Sequence, residues 1–387
     1  MLYSYAYRLY PNRLQTEALA HVLELHRELY NAALEERREA WRRSRVSLTY
    51  TDQANQLKDI RTLRPEVAAL NYSACQQTLR RLHKAYQAFF RRMRTGDTPG
   101  YPRFKSRSRF NSVAFVFGDG ATRRNGRLNL QGIGVIKVKW HRPLPGSAVI
   151  KQVVVKRQGD AWSAVFQIDV PDPVEKPTHP GAAVGLDVGL HHLVALSTGE
   201  CIQAPRYFRA AERQLRRQQR RVARRQRSSQ GWRQAVRQVA KTHGHIANQR
   251  RNLAHQLSTR LVRTYRLIGV EALNVQGLAR SRLAKSIHDA AWAQLLAMLD
   301  YKVAKTGSRV IRVDPRGTSQ MCSGCGREVP KDLGQRVHRC PHCGLELDRD
   351  VNAARNILRL ALNSLGRSDE SLTWAVAPSV LSEAAAF

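Results

Sequence analysis

Acid is scarce in this chain. Asp and Glu number 30 against 65 Lys and Arg, which leaves a formal net charge of +35 over 387 residues. A field of that size calls for a polyanionic partner, and nucleic acid is the natural one because phosphate neutralisation releases counterions. Arginine outnumbers lysine about fourfold, and its planar fork suits phosphates and stacks on bases. Long apolar runs are missing as well: none reaches the ~18 residues of a membrane span. The basic residues are spread along the chain and not gathered on one amphipathic helix, which argues against a membrane surface. No secretory pattern opens the sequence, since Met1 to Leu14 is broken by Arg8, Pro11 and Arg13. The expectation is a cytoplasmic protein. Cysteine is sparse too: of six, four fall in one tight cluster, and in a reducing compartment such a cluster favours metal over disulfides. No internal repeat is visible.

The length allows two or three domains. Residues 2–9 alternate and predict a strand that Pro11-Asn12 ends. Helical spacing from Leu14 to Leu34 runs on into a basic stretch, Arg37 to Arg45, and further helices are expected over 51–63 and 71–93. Residues 11–95 thus read as a helical bundle with basic outer faces. The stretch from 100 to 171 is β-like, with runs at Ile133–Val138 and Val153–Val155 and a turn at Gly159-Asp160 before Trp162–Ile168. Pro171 through Pro180 is a linker. In 181–360, short strands at 184–196, 267–270 and 310–313 alternate with helical regions at 206–265, 286–305 and 350–362, an α/β pattern. The tail, 363–387, is rich in small residues and reads as flexible.

Cys322-Ser323-Gly324-Cys325 and Cys340-Pro341-His342-Cys343 are two CxxC knuckles with 14 residues between the inner cysteines. Four thiolates are what a closed, structural tetrahedral zinc site requires. Gly324, Gly326 and Gly344 suit the tight turns. His338 or His342 could replace a cysteine, but two complete pairs make that unnecessary. Cys75 and Cys201 stand alone. With every valence filled by sulfur, this zinc is a poor catalyst. Carboxylates supply the other chemistry: Asp187 sits inside an apolar strand, Glu271 ends another, and Asp348 and Asp350 open the last helix. A charge in an apolar strand is costly unless it is paired or binds metal. Convergent carboxylates can hold two Mg²⁺ (or Mn²⁺) ~4 Å apart to activate water and stabilise the leaving oxygen of a phosphodiester.

Gly185-Leu186-Asp187-Val188-Gly189-Leu190, Val270-Glu271-Ala272-Leu273-Asn274-Val275-Gln276-Gly277, Thr318-Ser319-Gln320 leading into the first CxxC, and Asp348-Arg349-Asp350-Val351-Asn352-Ala353-Ala354-Arg355-Asn356-Ile357 resemble the TnpB family. These are transposon-encoded RNA-guided DNA nucleases related to compact type V CRISPR effectors. Tyr7-Arg8-Leu9-Tyr10-Pro11 and Gly100-Tyr101-Pro102-Arg103-Phe104-Lys105 extend the resemblance over nearly the whole chain. It implies a multidomain α+β protein. A RuvC-like, RNase-H-type α/β nuclease domain (181–317 and 347–362) would carry an inserted zinc ribbon (318–346). A β-barrel wedge domain (1–10 and 96–176) would carry an inserted helical recognition lobe (11–95). The catalytic acids carried over are Asp187, Glu271 and Asp350. The implied partners are a transposon-derived guide RNA and a double-stranded target DNA, with guide pairing reading most of the sequence and the protein a short adjacent motif. One protein per RNA and a nucleoid-associated place in a prokaryote complete the expectation.

Ten arginines and one acid, Glu212, lie between Arg206 and Arg227, so Arg213, Arg216, Arg217, Arg220, Arg221 and Arg224 are candidates for backbone contacts. Tyr3, Tyr5 and Tyr7 alternate on a strand and read as core or cross-strand residues, not stacking platforms. Of Asp348 and Asp350, the first is placed to cap the helix and the second to bind metal. Other readings are a guided DNA-binding repressor that does not cut, a strand-transfer transposase on an RNase-H-like core, and a zinc-ribbon transcription factor.

Overall fold

The computed structural model describes residues 2–171, 181–332 and 334–365, with the side chain of Gln276 left aside. Most of the expected linker (172–180) and of the expected tail (366–387) lies outside the described residues. The chain forms two compact units, Met1–Pro173 and Val174–Phe387.

The first unit begins with β1 (Leu2–Tyr10), followed by the helices α1 (Arg13–Ser44), α2 (Tyr50–Leu63), α3 (Pro65–Ala68) and α4 (Tyr72–Arg94). Asn12 starts α1 with a reciprocal capping box to Gln15, which satisfies two orphan amides at once. Then come β2 (Ser112–Val116), β3 (Ala121–Arg124), β4 (Arg127–Leu130), β5 (Gly134–Lys139), β6 (Val149–Gln158) and β7 (Ala161–Asp169). They join β1 in one antiparallel sheet of order β2-β6-β7-β1-β5-β4-β3. The sheet curls, and between its edge strands β2 and β3 stands one isolated bridge, from Phe117 just past β2 to Ala121, with no continuous ladder. Helices and sheet share one core, in which Leu34, Leu79 and Leu82 of the helices join Tyr7, Phe115 and Phe166 of the strands. Tyr7 is fully buried against Trp140 and Phe166, while Tyr3 and Tyr5 are half-buried on the same core. Strands β2 to β4 were not singled out in the sequence; they are four or five residues long, and arginines stand in β3 and β4.

The second unit opens with β8 (Ala183–Asp187), β9 (His192–Leu196) and β10 (Cys201–Gln203), then α5 (Tyr207–Ala223) and α6 (Gln230–Thr264). The long helical region expected over 206–265 is therefore two helices. Ser228 takes a left-handed φ of 70° and the Ser229 hydroxyl caps α6 at Trp232, so the chain restarts there. Next are β11 (Leu267–Glu271), α7 (Val275–Leu278), α8 (Ala284–Ala290), α9 (Trp292–Thr306) and β12 (Arg309–Val313). The helix expected over 286–305 breaks at Ala291, whose φ is 55°. The small strands β13 (Val337–Arg339) and β14 (Glu346–Asp348) precede α10 (Arg349–Ser364). The five-stranded sheet runs β10-β9-β8-β11-β12; β9 is antiparallel to β8, and β8, β11 and β12 are parallel.

Helices α6 and α9 bury Leu257, Leu261, Leu295 and Leu299 with Val184, Ile268 and Val270 of the sheet. Helix α10 also packs on β8 and β11, and there the approach is unusually close. A Cβ at Gly185 would stand 1.9 Å from the Ala354 carbonyl oxygen, and one at Gly269 would stand 2.9 Å from the Ala361 Cβ. Glycine at those two strand positions is what lets the helix lie on the sheet.

Candidate active site and metal centre

Three elements bring the acids together. In the parallel pair β8–β11, Leu186 is in register with Val270, so the next residues, Asp187 and Glu271, leave neighbouring strands side by side. Helix α10 crosses both strands, and its first turn presents Asp350. Burial, then the charges of Glu271 and Asp350, push the Asp187 carboxyl well above the ordinary carboxylate range; Asp348 adds to this and Arg349 opposes it. Burial raises Glu271 as well, against the Thr318 hydroxyl, which donates to its carboxylate at 2.5 Å. The mutual effect on Asp187 is the electrostatic sign that these acids face one another. Desolvation and like charge both favour the protonated form of such a group, and a bound cation would favour the charged form.

Asp348 and Asp350 do different things, as expected from their spacing. The Asp348 carboxylate accepts the backbone N–H of Asp350 at 2.8 Å and of Val351 at 3.2 Å, capping α10. Asp350 turns its Oδ2 to His192, whose Nδ1–H donates to it at 3.2 Å. His192 is buried. After Asp187 the chain is fixed by the Trp292 indole, which donates to the Gly189 carbonyl at 3.2 Å. A cavity of about 510 Å³ lies nearby, lined by Leu190, Leu193, Arg209, Asp289 and Leu295 among others and not by the three acids.

The four cysteines gather as their spacing predicts. Sγ of Cys322 lies 3.6 Å from Sγ of Cys343, and Sγ of Cys325 lies 3.6 Å from Sγ of Cys340. All four sulfurs lie within 4.8 Å of one another. A disulfide would need ~2.05 Å, whereas tetrahedral ligands ~2.3 Å from one zinc leave sulfurs near these separations. Each knuckle is closed by a backbone bond, Gly326 N–H to the Cys322 carbonyl and Gly344 N–H to that of Cys340. His338 lies outside this group; its Nδ1 contacts the Lys331 ammonium.

Two buried asparagines connect the cysteine segment to the acids. On α10, Asn352 accepts the Ser323 N–H at 2.9 Å and donates to the Met321 carbonyl at 2.7 Å. One turn on, Asn356 donates to the carbonyls of Thr318 and Met321. The helix that carries Asp350 therefore holds Thr318, the residue bonded to Glu271. None of Thr318, His192, Asn352 or Asn356 was assigned a role from the sequence. The asparagines left a signal, as polar residues at i and i+4 on the apolar face of Val351, Ala353, Ala354 and Ile357.

The candidate phosphate-binding arginines are on another element. Arg213, Arg216, Arg217, Arg220 and Arg221 are exposed along α5, and Arg224 is exposed at its end. Glu212 is engaged by Arg209, Lys285 and, at 3.9 Å, Arg216. Among the described residues no ion pair engages Arg213, Arg217, Arg220, Arg221 or Arg224.

The comparisons with known proteins agree with this arrangement. Residues 165–282 match a family model for OrfB of IS605, described as "Probable transposase", and residues 292–357 match the TNB domain of Cas12f1-like proteins. A helix-turn-helix model matches residues 1–45, which here form β1 and the single long helix α1. A Streptomyces pristinaespiralis protein named "Putative RNA-guided DNA endonuclease" is 36% identical over 93% of this chain and 89% of its own length. An Escherichia coli relative with the same description, InsQ, is 31% identical over 73% of each. The chain belongs to the TnpB family. Among solved structures, Cas12f1 in a complex with sgRNA and target DNA shares the fold at a TM-score of 0.55, with 16% identity over 88% of this chain and 82% of that one.

Proposed function

We propose that this chain is an RNA-guided DNA endonuclease that hydrolyses phosphodiesters at Asp187, Glu271 and Asp350, next to a structural zinc held by Cys322, Cys325, Cys340 and Cys343. The placement of Asp187 and Glu271 at the ends of paired parallel strands, with the first turn of α10 laid over both, is the observation that carries the reading. The order β10-β9-β8-β11-β12, three antiparallel strands continued by two parallel ones, supports a RuvC-like, RNase-H-type domain. The curled sheet with its packed helices supports the assignment of wedge and recognition lobe. Four sulfurs around one point fit zinc, and desolvated carboxylates fit hard divalent cations such as Mg²⁺ or Mn²⁺. Bound there, two such ions supply an activated water and charge neutralisation at the leaving oxygen.

The protein's own residues then have defined tasks. Thr318 orients Glu271, Asp348 holds the first turn of α10 in place, and the α5 arginines draw in the phosphate backbone. A guide RNA carries the sequence reading, as the relatives' names state for those proteins. All three acids are present, which favours cutting over guided binding alone. Among the described residues no helix is long and apolar enough to cross a membrane. The test is a cleavage assay with the RNA that copurifies, a matching duplex and Mg²⁺. Asp187→Ala should abolish cutting and retain RNA and target binding. Equal loss of both would mean that the acid serves folding or recognition. A protein that carries no discrete RNA would point to strand transfer.

A further inference from the structure

The Gly100–Lys105 segment has no task in the chemistry above, yet its geometry is specific. The loop is pinned from both sides: the Asn31 side chain donates to the Lys105 carbonyl at 3.0 Å and accepts the Lys105 N–H at 2.8 Å, and Pro102 is buried. Tyr101, just before Pro102, and Phe104, just before Lys105, are held outward, 43% and 44% exposed. They continue a run of rings. Tyr101 meets Phe89 edge-on at 5.2 Å, and Phe89 meets Phe90, itself half exposed, at 5.2 Å. From α1, Arg38 lies over both Tyr101 and Phe104. One turn further along α1, Trp41 is 52% exposed beneath Arg45. Of the α1 acids of this stretch, Glu36 is engaged by Gln53 and Glu39 by Arg42 and Arg43, while Glu35 is exposed. Residues 91–109 add seven Arg or Lys and one acid, Asp97.

An exposed aromatic patch marks a binding surface, and its surroundings select the ligand. A strongly basic rim attracts phosphates, but phosphates gain nothing from rings. Unpaired nucleotides use both, since their bases stack on aromatic and guanidinium planes while their backbone meets the charge. We infer that Trp41, Phe90, Tyr101 and Phe104, interleaved with Arg38 and Arg45, form a pre-built stacking platform for unpaired bases of the bound RNA. This rests on the RNA-guided reading and adds a site to it. Because the loop is anchored, stacking orders little that is not already ordered, which favours affinity.

The experiment uses the full chain freed of its own RNA, with an unpaired oligoadenylate carrying 5-iodouridine and a duplex RNA of equal charge. Irradiation should crosslink the oligonucleotide to Trp41, Tyr101 or Phe104. The Tyr101→Ala, Phe104→Ala double variant should bind the unpaired strand about tenfold or more weakly. Its salt slope and duplex affinity should be unchanged, because no charge is removed. Tyr101→Phe, which loses only the 3.0 Å bond to the Tyr86 hydroxyl, should bind like wild type and so separates stacking from folding. Equal weakening on duplex and single strand would overturn the platform, as would crosslinks elsewhere only. Loss of binding to phosphatidylserine vesicles with RNA binding intact would reassign the patch to a membrane. Guided cleavage measured on the same variant isolates the two ideas: unchanged single-strand binding in a preparation that still cuts removes the platform and leaves the nuclease reading standing.

Discussion

The second unit contains two clusters of potentially anionic groups, and they are built on opposite plans. The four sulfurs come from one short stretch and surround a point that the sequence spacing already defines. The three carboxylates sit on two strand ends and a helix start, and they are neighbours because α10 lies on β8 and β11 at the distance that Gly185 and Gly269 permit. The first is a local closure, and metal binding there amounts to folding free energy. The second is a product of the finished fold, which holds like charges together at a cost. Thr318, Asn352 and Asn356 join the two.

That linkage gives the largest expected effect. Cys322→Ser should remove about one equivalent of zinc, measured by metal analysis, and release amide protection over 318–348. It should also lower guided cleavage by more than tenfold, because Thr318 would lose the frame that sets it on Glu271. Normal cutting by a zinc-free protein would show that the two clusters are independent. A smaller effect belongs to α5. Replacing Arg216, Arg217, Arg220 and Arg221 with Gln should reduce the slope of log affinity against log salt by about three and a half, at roughly 0.9 per phosphate contact. An unchanged slope would make these arginines a solvated face.

The contrast also explains what could be read early. CxxC spacing is a local statement about ligands, so the cysteine site was legible in full. The strand carrying Asp187 and the strand ending at Glu271 were legible as apolar runs, but that they are parallel neighbours is a long-range fact. His192 illustrates the limit: its partner Asp350 is 158 positions away, and a histidine pair at a strand start gives no sign of it. The helix breaks at Ser229 and Ala291 were missed for another reason. The first is a short turn over 224–229 and the second a single left-handed residue, and both lie inside patterns that keep helical periodicity on either side. The open edges of the curled sheet depend on pairing that periodicity does not encode.

The carboxylate cluster can be probed without chemistry. The Asp187 carboxyl is raised in the folded protein, so the folded state binds a proton that the unfolded state has already released. Stability is then fullest below the ordinary carboxylate value and is lost as pH rises toward the raised one. With chelator present at neutral pH, Asp187→Asn should raise the melting temperature, by on the order of a few degrees. Adding Mg²⁺ should stabilise wild type more than the variant, since binding to the folded state alone stabilises by mass action. A lower melting temperature for Asp187→Asn in chelator would mean that the acid is satisfied by protein partners and not waiting for a cation.

The smallest effect separates two aspartates two residues apart. Asp348 accepts two amides of the first turn of α10, a task that asparagine performs about as well as aspartate. Asp350 makes no cap; it faces His192 and adds its charge to Asp187. Asp348→Asn should therefore keep the helix start and nearly full cleavage. It also removes a minor like charge acting on Asp187, so its effect on metal-free stability should be slightly favourable. Asp348→Ala, which cannot cap, should cost about 1 kcal/mol in a denaturant melt and still cut. Asp350→Asn should fold as wild type and not cut. The discriminating measurement is cleavage rate set against melting temperature for these variants. If Asp348→Asn were inactive while Asp350→Asn cut, the metal and capping roles would have to be exchanged, and the convergence at the end of β8 would then involve the other carboxylate.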